Sequence, residues 1–183
     1  MKIDKTGTAS VGTMCPERRR DVVDRMLGSY SAYYDIEDVS EGDLVARMEF
    51  HFRGEQYMLT RRVNLWSEED HEYVYLFSGG SLDEAGLDAA LSLSLDDGRS
   101  RIVPGRDHRC STVTTLLVYD SIDDSAAKRI KHHSHHESFR LMLDGWMDHR
   151  VVAVDLSSDR ILSGRRARDA VSTVRRIMDS GRR

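Results

Sequence analysis

From Leu44 to Arg53 the chain changes character at every step. Leu44, Ala46, Met48, Phe50 and Phe52 alternate with Val45, Arg47, Glu49, His51 and Arg53. A period of two puts one set on each face of a β-strand, so the segment predicts a strand with one buried face. A helix, at 3.6 residues per turn, would scatter the same residues around its axis. Gly54-Glu55 suits a two-residue type II′ turn, and a return strand is expected over 56–66. Pairing Arg53 with Gln56 sets Phe52 opposite Tyr57, Phe50 opposite Leu59, Ala46 opposite Val63 and Leu44 opposite Leu65. Arg61 then falls opposite Met48 on the apolar face, where a guanidinium needs an anionic partner or water.

The other elements follow from period and punctuation. A first helix starts near Pro16 and carries Val22, Val23, Met26, Leu27, Tyr30, Tyr33 and Tyr34 at helical spacing. Asp35 to Asp43 is acidic, contains Gly42 and reads as a loop. Glu72 to Phe77 is apolar on both faces, as in a central strand, and Ser78-Gly79-Gly80 ends it. Ser81 with Glu84 forms a capping box for a helix to about Leu95, which Asp96-Asp97-Gly98 stops. Arg99 to Arg109 is a basic loop, and Thr112 to Tyr119 is a β-branched buried strand. A short helix capped by Asp120 or Ser121 carries Ile122, Ala126, Ala127 and Ile130. Ser138 to Leu143 fits either a strand or a single helical turn. His149 to Leu156 is a strand, Arg160 to Leu162 an edge segment, and Arg165 to Ser180 an amphipathic helix.

Hairpins mixed with crossover helices predict an α+β fold: a mixed, mostly antiparallel sheet with an N-terminal β-hairpin and helices packed on it. The 183 residues are enough for one domain with its own core, expected over 15–183 behind a flexible leader at 1–14. No apolar run of about 18 residues is present, which argues against a membrane span, and residues 1–13 have no secretory h-region. Cys15 and Cys110 have no metal-ligand spacing and read as free thiols in a reducing, cytoplasmic compartment.

Five features invite a functional reading, and each has a plainer one. His132, His133, His135 and His136 could supply metal ligands, with His132, His135 and His136 as candidates. An exposed polar helix end accounts for them more simply, since cations complement the dipole there. Ser78-Gly79-Gly80-Ser81 sits where phosphate loops occur, but Asp83 and Glu84 in the next turn would repel a phosphate. Arg165, Arg166, Arg168, Arg175 and Arg176 could face nucleic acid. With net charge −4 and no interleaved aromatics, a solvated helix face explains them more simply. Trp146, Asp148 and His149, with Arg61 as a partner, could line a pocket in which Asp148 and His149 act as acid and base. Otherwise Trp146 plugs the core and Asp148 is a structural ion-pair partner. Either cysteine could be a nucleophile only with a histidine beside it.

The helix, three-strand, helix, strand order resembles the core of restriction-endonuclease-like nucleases. That resemblance implies a metal held by an Asp and a (D/E)xK triplet. Neither the hairpin nor Glu72–Phe77 contains the triplet. Tyr33-Tyr34-Asp35, Phe50-His51-Phe52, Glu72-Tyr73-Val74 and Gly145-Trp146-Met147-Asp148 together resemble a bacterial domain family of no assigned function, from about Arg18 to the last helix. It implies one cytosolic bacterial domain and no catalytic residue.

The leading expectation is therefore a non-catalytic cytoplasmic domain that binds a protein partner or a small anionic ligand at Arg61, Trp146, Asp148 and His149, with no cofactor. An enzyme acting on a small anionic substrate through an Arg/Asp/His pocket is the alternative. A metal-dependent nuclease-like or nucleic-acid-binding domain comes after it. A homodimer through strand edges or the first helix is compatible with the pattern.

Overall fold

A computed structural model describes residues 15–50, 70–104, 110–140 and 143–181. The elements in chain order are α1 (Cys15–Tyr30), β1 (Tyr34–Glu41), β2 (Leu44–Phe50), β3 (Asp70–Leu82), α2 (Glu84–Arg101), β4 (Cys110–Ile122), α3 (Asp124–His132), β5 (His135–Ser138), β6 (Trp146–Asp155), β7 (Arg160–Ser163) and α4 (Arg168–Ser180). The strands form one mixed sheet in the order β1-β2-β3-β4-β6-β5, with β7 also on β6. β1–β2, β2–β3, β5–β6 and β6–β7 pair antiparallel, while β3–β4 and β4–β6 are parallel. This is the α+β fold that the pattern predicts, with the parallel pairs at its centre.

The strand at Leu44–Phe50 is as expected, with Leu44, Ala46, Met48 and Phe50 buried in alternation. Its partners differ from expectation. Asp35–Asp43 is not a loop: β1 and β2 form the hairpin, closed by Glu41 opposite Leu44, with Gly42 at φ 59°. That left-handed turn position favours glycine. The acidic residues of β1 are tolerated because the strand lies at the end of the sheet among the described residues and leaves Asp35, Glu37 and Asp38 exposed. The other edge of β2 is paired with β3. The turn at Gly54-Glu55, the strand over 56–66, Arg61, the leader and residues 105–109 lie outside the described residues.

Strands β3, β4 and β6 are buried on both faces, as parallel strands under two helical layers must be. β3 runs through Gly79 and Gly80 to Leu82, so Ser81 is not a cap. Asp83 caps α2 instead, accepting from the Gly86 amide at 2.7 Å. The Asp96-Asp97-Gly98 stop also fails, because α2 continues to Arg101. Strand β6 begins at Trp146, earlier than expected, and α4 begins at Arg168, later than expected. The ambiguous stretch resolves into β5 ending at Ser138 and a turn closed by the Phe139 amide on the Gly145 carbonyl, with 141–142 undescribed.

Two apolar layers hold the helices on. Leu87 and Ala90 of α2, with Ala126, Ala127 and Ile130 of α3, pack on Tyr75, Leu117 and Val151 of one sheet face. Val22, Val23 and Met26 of α1, with Val174, Ile177 and Met178 of α4, pack on Val74, Leu116 and Val152 of the other.

Gly98 lets α2 lie close to β4. A Cβ added there would sit 2.6 Å from Val113 Cγ2 and 2.9 Å from Cγ1. Gly98→Ala should therefore lower stability by about 1–3 kcal/mol in urea unfolding, despite alanine's better helix propensity. Gly28 of α1 has nothing within 4 Å. Gly28→Ala should raise stability by up to about 1 kcal/mol. Equal gains in both variants would contradict the packing at Gly98.

Candidate functional site

Alternation along β6 separates the expected pocket residues. Asp148 and His149 are neighbours on one strand and point to opposite faces, so they do not form an acid/base pair. Asp148 lies with His136 Nδ1 at 2.7 Å and Arg166 Nη1 at 3.1 Å, on the α1/α4 side. Trp146 is half-buried, two residues along the same face. His149 is 1% exposed on the α2/α3 side. The His132–His136 tract is divided in the same way. His132 bonds the Lys128 carbonyl at the end of α3, His136 reaches Asp148, and His135 turns toward His149. Among the described residues, no group of three or more His, Cys, Asp or Glu could hold a metal ion. Ser78-Gly79-Gly80-Ser81 is strand rather than loop, and a Cβ on Gly79 would meet the Tyr119 ring and Asp43. The arginines of α4 are exposed, with Asp169 and Asp179 exposed on the same helix.

Two polar clusters that the sequence pattern did not reveal lie inside the sheet layers. On the α1/α4 side, Glu72 is 5% exposed and accepts from Tyr34 Oη at 2.5 Å and Thr114 Oγ1 at 2.8 Å. Burial pushes its carboxyl up, against those hydrogen bonds and the charge of Arg150. On the α2/α3 side, Thr115 Oγ1 lies 2.8 Å from His149 Nε2 and 2.5 Å from Ser94 Oγ. The rings of His133 and His135 approach His149 at 4.8 and 6.3 Å between centroids. His149 Nδ1, His133 Nε2 and His135 Nε2 are buried without a hydrogen-bond partner.

A third group is open to solvent. Among the described residues, α2 and α3 cover β3, β4 and β6, and no helix covers Asp35, Glu37, Arg47 and Glu49 at the β1–β2 end of that face. There a cleft of about 150 Å³ forms. Asp35 and Glu37 of β1, Arg47 and Glu49 of β2, and Tyr73 and Tyr75 of β3 line its floor, and Arg101 at the end of α2 is its wall. Alternation brings Asp35, Glu37, Arg47, Glu49, Tyr73 and Tyr75 to one face. Arg101 Nε bonds Asp97 Oδ2 at 3.0 Å, and Tyr75 Oη donates to the same oxygen at 2.7 Å. Burial pushes the Asp97 carboxyl up, but Tyr75 and Arg101 bonded to it, with Arg47 beside it, hold it below its ordinary value overall. Burial, then the bond to Asp97, pushes the Tyr75 hydroxyl up.

Arg47 is held differently. Its guanidinium nitrogens lie 3.8 Å from Glu37, 3.8 Å from Glu41 and 3.5 Å from Asp97. These are ion-pair distances beyond good hydrogen-bond length. Among the described residues Arg47 donates no hydrogen bond, and its Nε is buried and unsatisfied.

The histidine cluster sets a pH dependence. Burial, then His133 and His135 beside it, hold the His149 imidazole down to about 3. Unfolded, it titrates near 6.5. Between those values the unfolded chain binds more protons, so stability is lost as pH falls from about 6.5 toward 3. His149 alone then costs about 2 kcal/mol at pH 5, at about 1.36 kcal/mol per unit. Burial holds His133 low as well and adds to the loss. Glu72, raised in the fold, works in the opposite sense. Urea unfolding at pH 7 and pH 5 should show wild type losing about 2 kcal/mol more than His149→Leu. Equal losses would mean that His149 is not held neutral.

The comparisons with known proteins give one family and no function. No curated protein and no solved structure matches the chain. Among the described residues, no helix is long and apolar enough to cross a membrane. A family model described as Domain of unknown function (DUF8052) matches residues 18–176, a span that begins in α1 and ends in α4. By that match the chain belongs to this family of domains of unknown function.

Proposed function

We propose that this domain binds a small polar ligand in the cleft between the β1–β2 hairpin and the end of α2, and does not act on it chemically. The observation that carries the reading is Arg47. A guanidinium has five N–H donors, and a buried donor left unmade is costly. Here Nε is buried 3.5 Å from Asp97 without a hydrogen bond, while the Nη donors, on the cleft lining, stop 3.8 Å short of Glu37 and Glu41. A ligand acceptor would satisfy them.

Size and chemistry narrow the reading. A volume of this order holds about one six-membered ring, well below most drug-sized pockets. Among the described residues the lining contains no serine, threonine, cysteine, lysine or histidine, and its titratable groups are arginines, tyrosines and carboxylates rather than an imidazole or amine base. Asp97, held low and already accepting two hydrogen bonds, is a weak base. Asp148 and His149, facing opposite ways across the sheet, give an enzyme reading little support.

An amide-resolved NMR titration with acetate, ethylamine, glycine and alanine tests the proposal. At least one probe should shift the amides of Arg47, Tyr73, Tyr75 and Arg101 saturably. Arg47→Ala should weaken that binding about 10- to 100-fold, the range for losing hydrogen bonds to a charged group. If none of the four probes gives a saturable shift at the cleft, the reading fails.

A further inference from the structure

The charge pattern of the cleft is specific enough to name a ligand class, an inference that rests on the ligand-binding reading above. Two guanidiniums, Arg47 and Arg101, stand among the carboxylates of Asp35, Glu37, Glu49 and Asp97. A simple anion placed on Arg47 would gain hydrogen bonds but would also face those carboxylates at close range. A simple cation would gain the carboxylates but would meet two arginines. A molecule carrying both charges meets each with its opposite.

Spacing decides how far apart the two charges should be. The Arg47 nitrogens and their neighbouring carboxylate oxygens are separated by 3.5 to 3.8 Å. Positive and negative subsites are therefore adjacent, and the cavity is small. We infer that the cleft takes a compact zwitterion of the α-amino-acid type, with ammonium and carboxylate on one carbon and a small side chain. The ligand carboxylate takes the Nη donors of Arg47 and the part of the Arg101 guanidinium not bonded to Asp97. Glu37 and Glu49 receive the ammonium. Glu49 already stands only 3.7 Å from Arg101, so an ammonium there joins an existing charge pair. The rings of Tyr73 and Tyr75 supply the apolar lining against a methyl-sized side chain.

Isothermal titration of the full chain with glycine, alanine, 4-aminobutyrate, acetate and ethylamine separates the possibilities. Alanine and glycine should bind at least ten-fold tighter than acetate or ethylamine. 4-Aminobutyrate, with its charges three methylene groups apart, should lose most of that advantage. Arg47→Lys keeps a charge but not the planar fork, and Glu37→Gln removes an exposed negative charge; both should reduce the preference with the circular-dichroism spectrum unchanged. Binding of acetate as tight as that of alanine would keep the ligand-binding reading and overturn the zwitterion in favour of an anion site. Tight ethylamine would do the same in favour of a cation site. Undetectable binding of all five would overturn both readings.

Discussion

The parallel register of β3, β4 and β6 is the constraint on which the rest of the molecule rests. Leu76, Leu116 and Val152 lie side by side across the three strands, as do Phe77, Leu117 and Ala153. Parallel strands cannot be joined by tight turns, so each junction needs a crossover. Both crossovers advance the same way across the sheet, from β3 to β4 and from β4 to β6. Right-handed connections then put α2 and α3 on one face. The opposite face is left for α1 and α4, which close it from the two ends of the chain. Because the strand order never reverses between these crossovers, the sheet has no switch point of the kind that opens a crevice at its carboxyl ends.

The cleft follows from that economy. Two helices cover three parallel strands, and the antiparallel β1–β2 hairpin extends the sheet beyond their reach. Its α2-side residues are Asp35, Glu37, Arg47 and Glu49, which suit a surface rather than a core. Tyr73 and Tyr75, one strand further in, straddle the boundary. Their rings are buried, while their hydroxyls reach the Arg101 carbonyl and the Asp97 carboxylate. A tyrosine with a polar tip is the residue type that such a boundary needs.

Much of this was legible in the sequence. The alternation at Leu44–Phe50, the two-faced apolar runs of β3 and β4, and the stripes of α1 and α4 each report a local period, and each became an element. What failed had non-local causes. Asp35–Asp43 looked like a loop because its charge fits a loop, and only its place at the sheet's end makes that charge harmless in a strand. Asp97-Gly98 looked like a helix stop because nothing in the sequence shows Val113 lying under Gly98. Asp148 and His149 look like a pair because the apolar run marks a strand only from His149, three residues after β6 begins at Trp146, which hides the alternation that separates them. In the sequence Arg47 is only the polar half of the hairpin pattern. Its loose surroundings come from β1 and from the end of α2, more than fifty residues apart in the chain.

The last two turns of α2 tie these parts together. Ser94 reaches β4 and β6 through Thr115 and His149. Three residues on, Asp97 reaches the other way, to Tyr75 of β3 and Arg47 of β2. Gly98 sits between the two directions, pressed on Val113. Residues three and four apart share a helix side, so a helix lying this flat on β4 can hold a sealed hydroxyl–imidazole cluster on one flank and a solvated charge network on the other. A side chain at position 98 would lift this end of the helix from the sheet and lengthen both sets of bonds at once. The openness of the cleft and the burial of His149 therefore depend on the same close approach, although they lie on opposite sides of it.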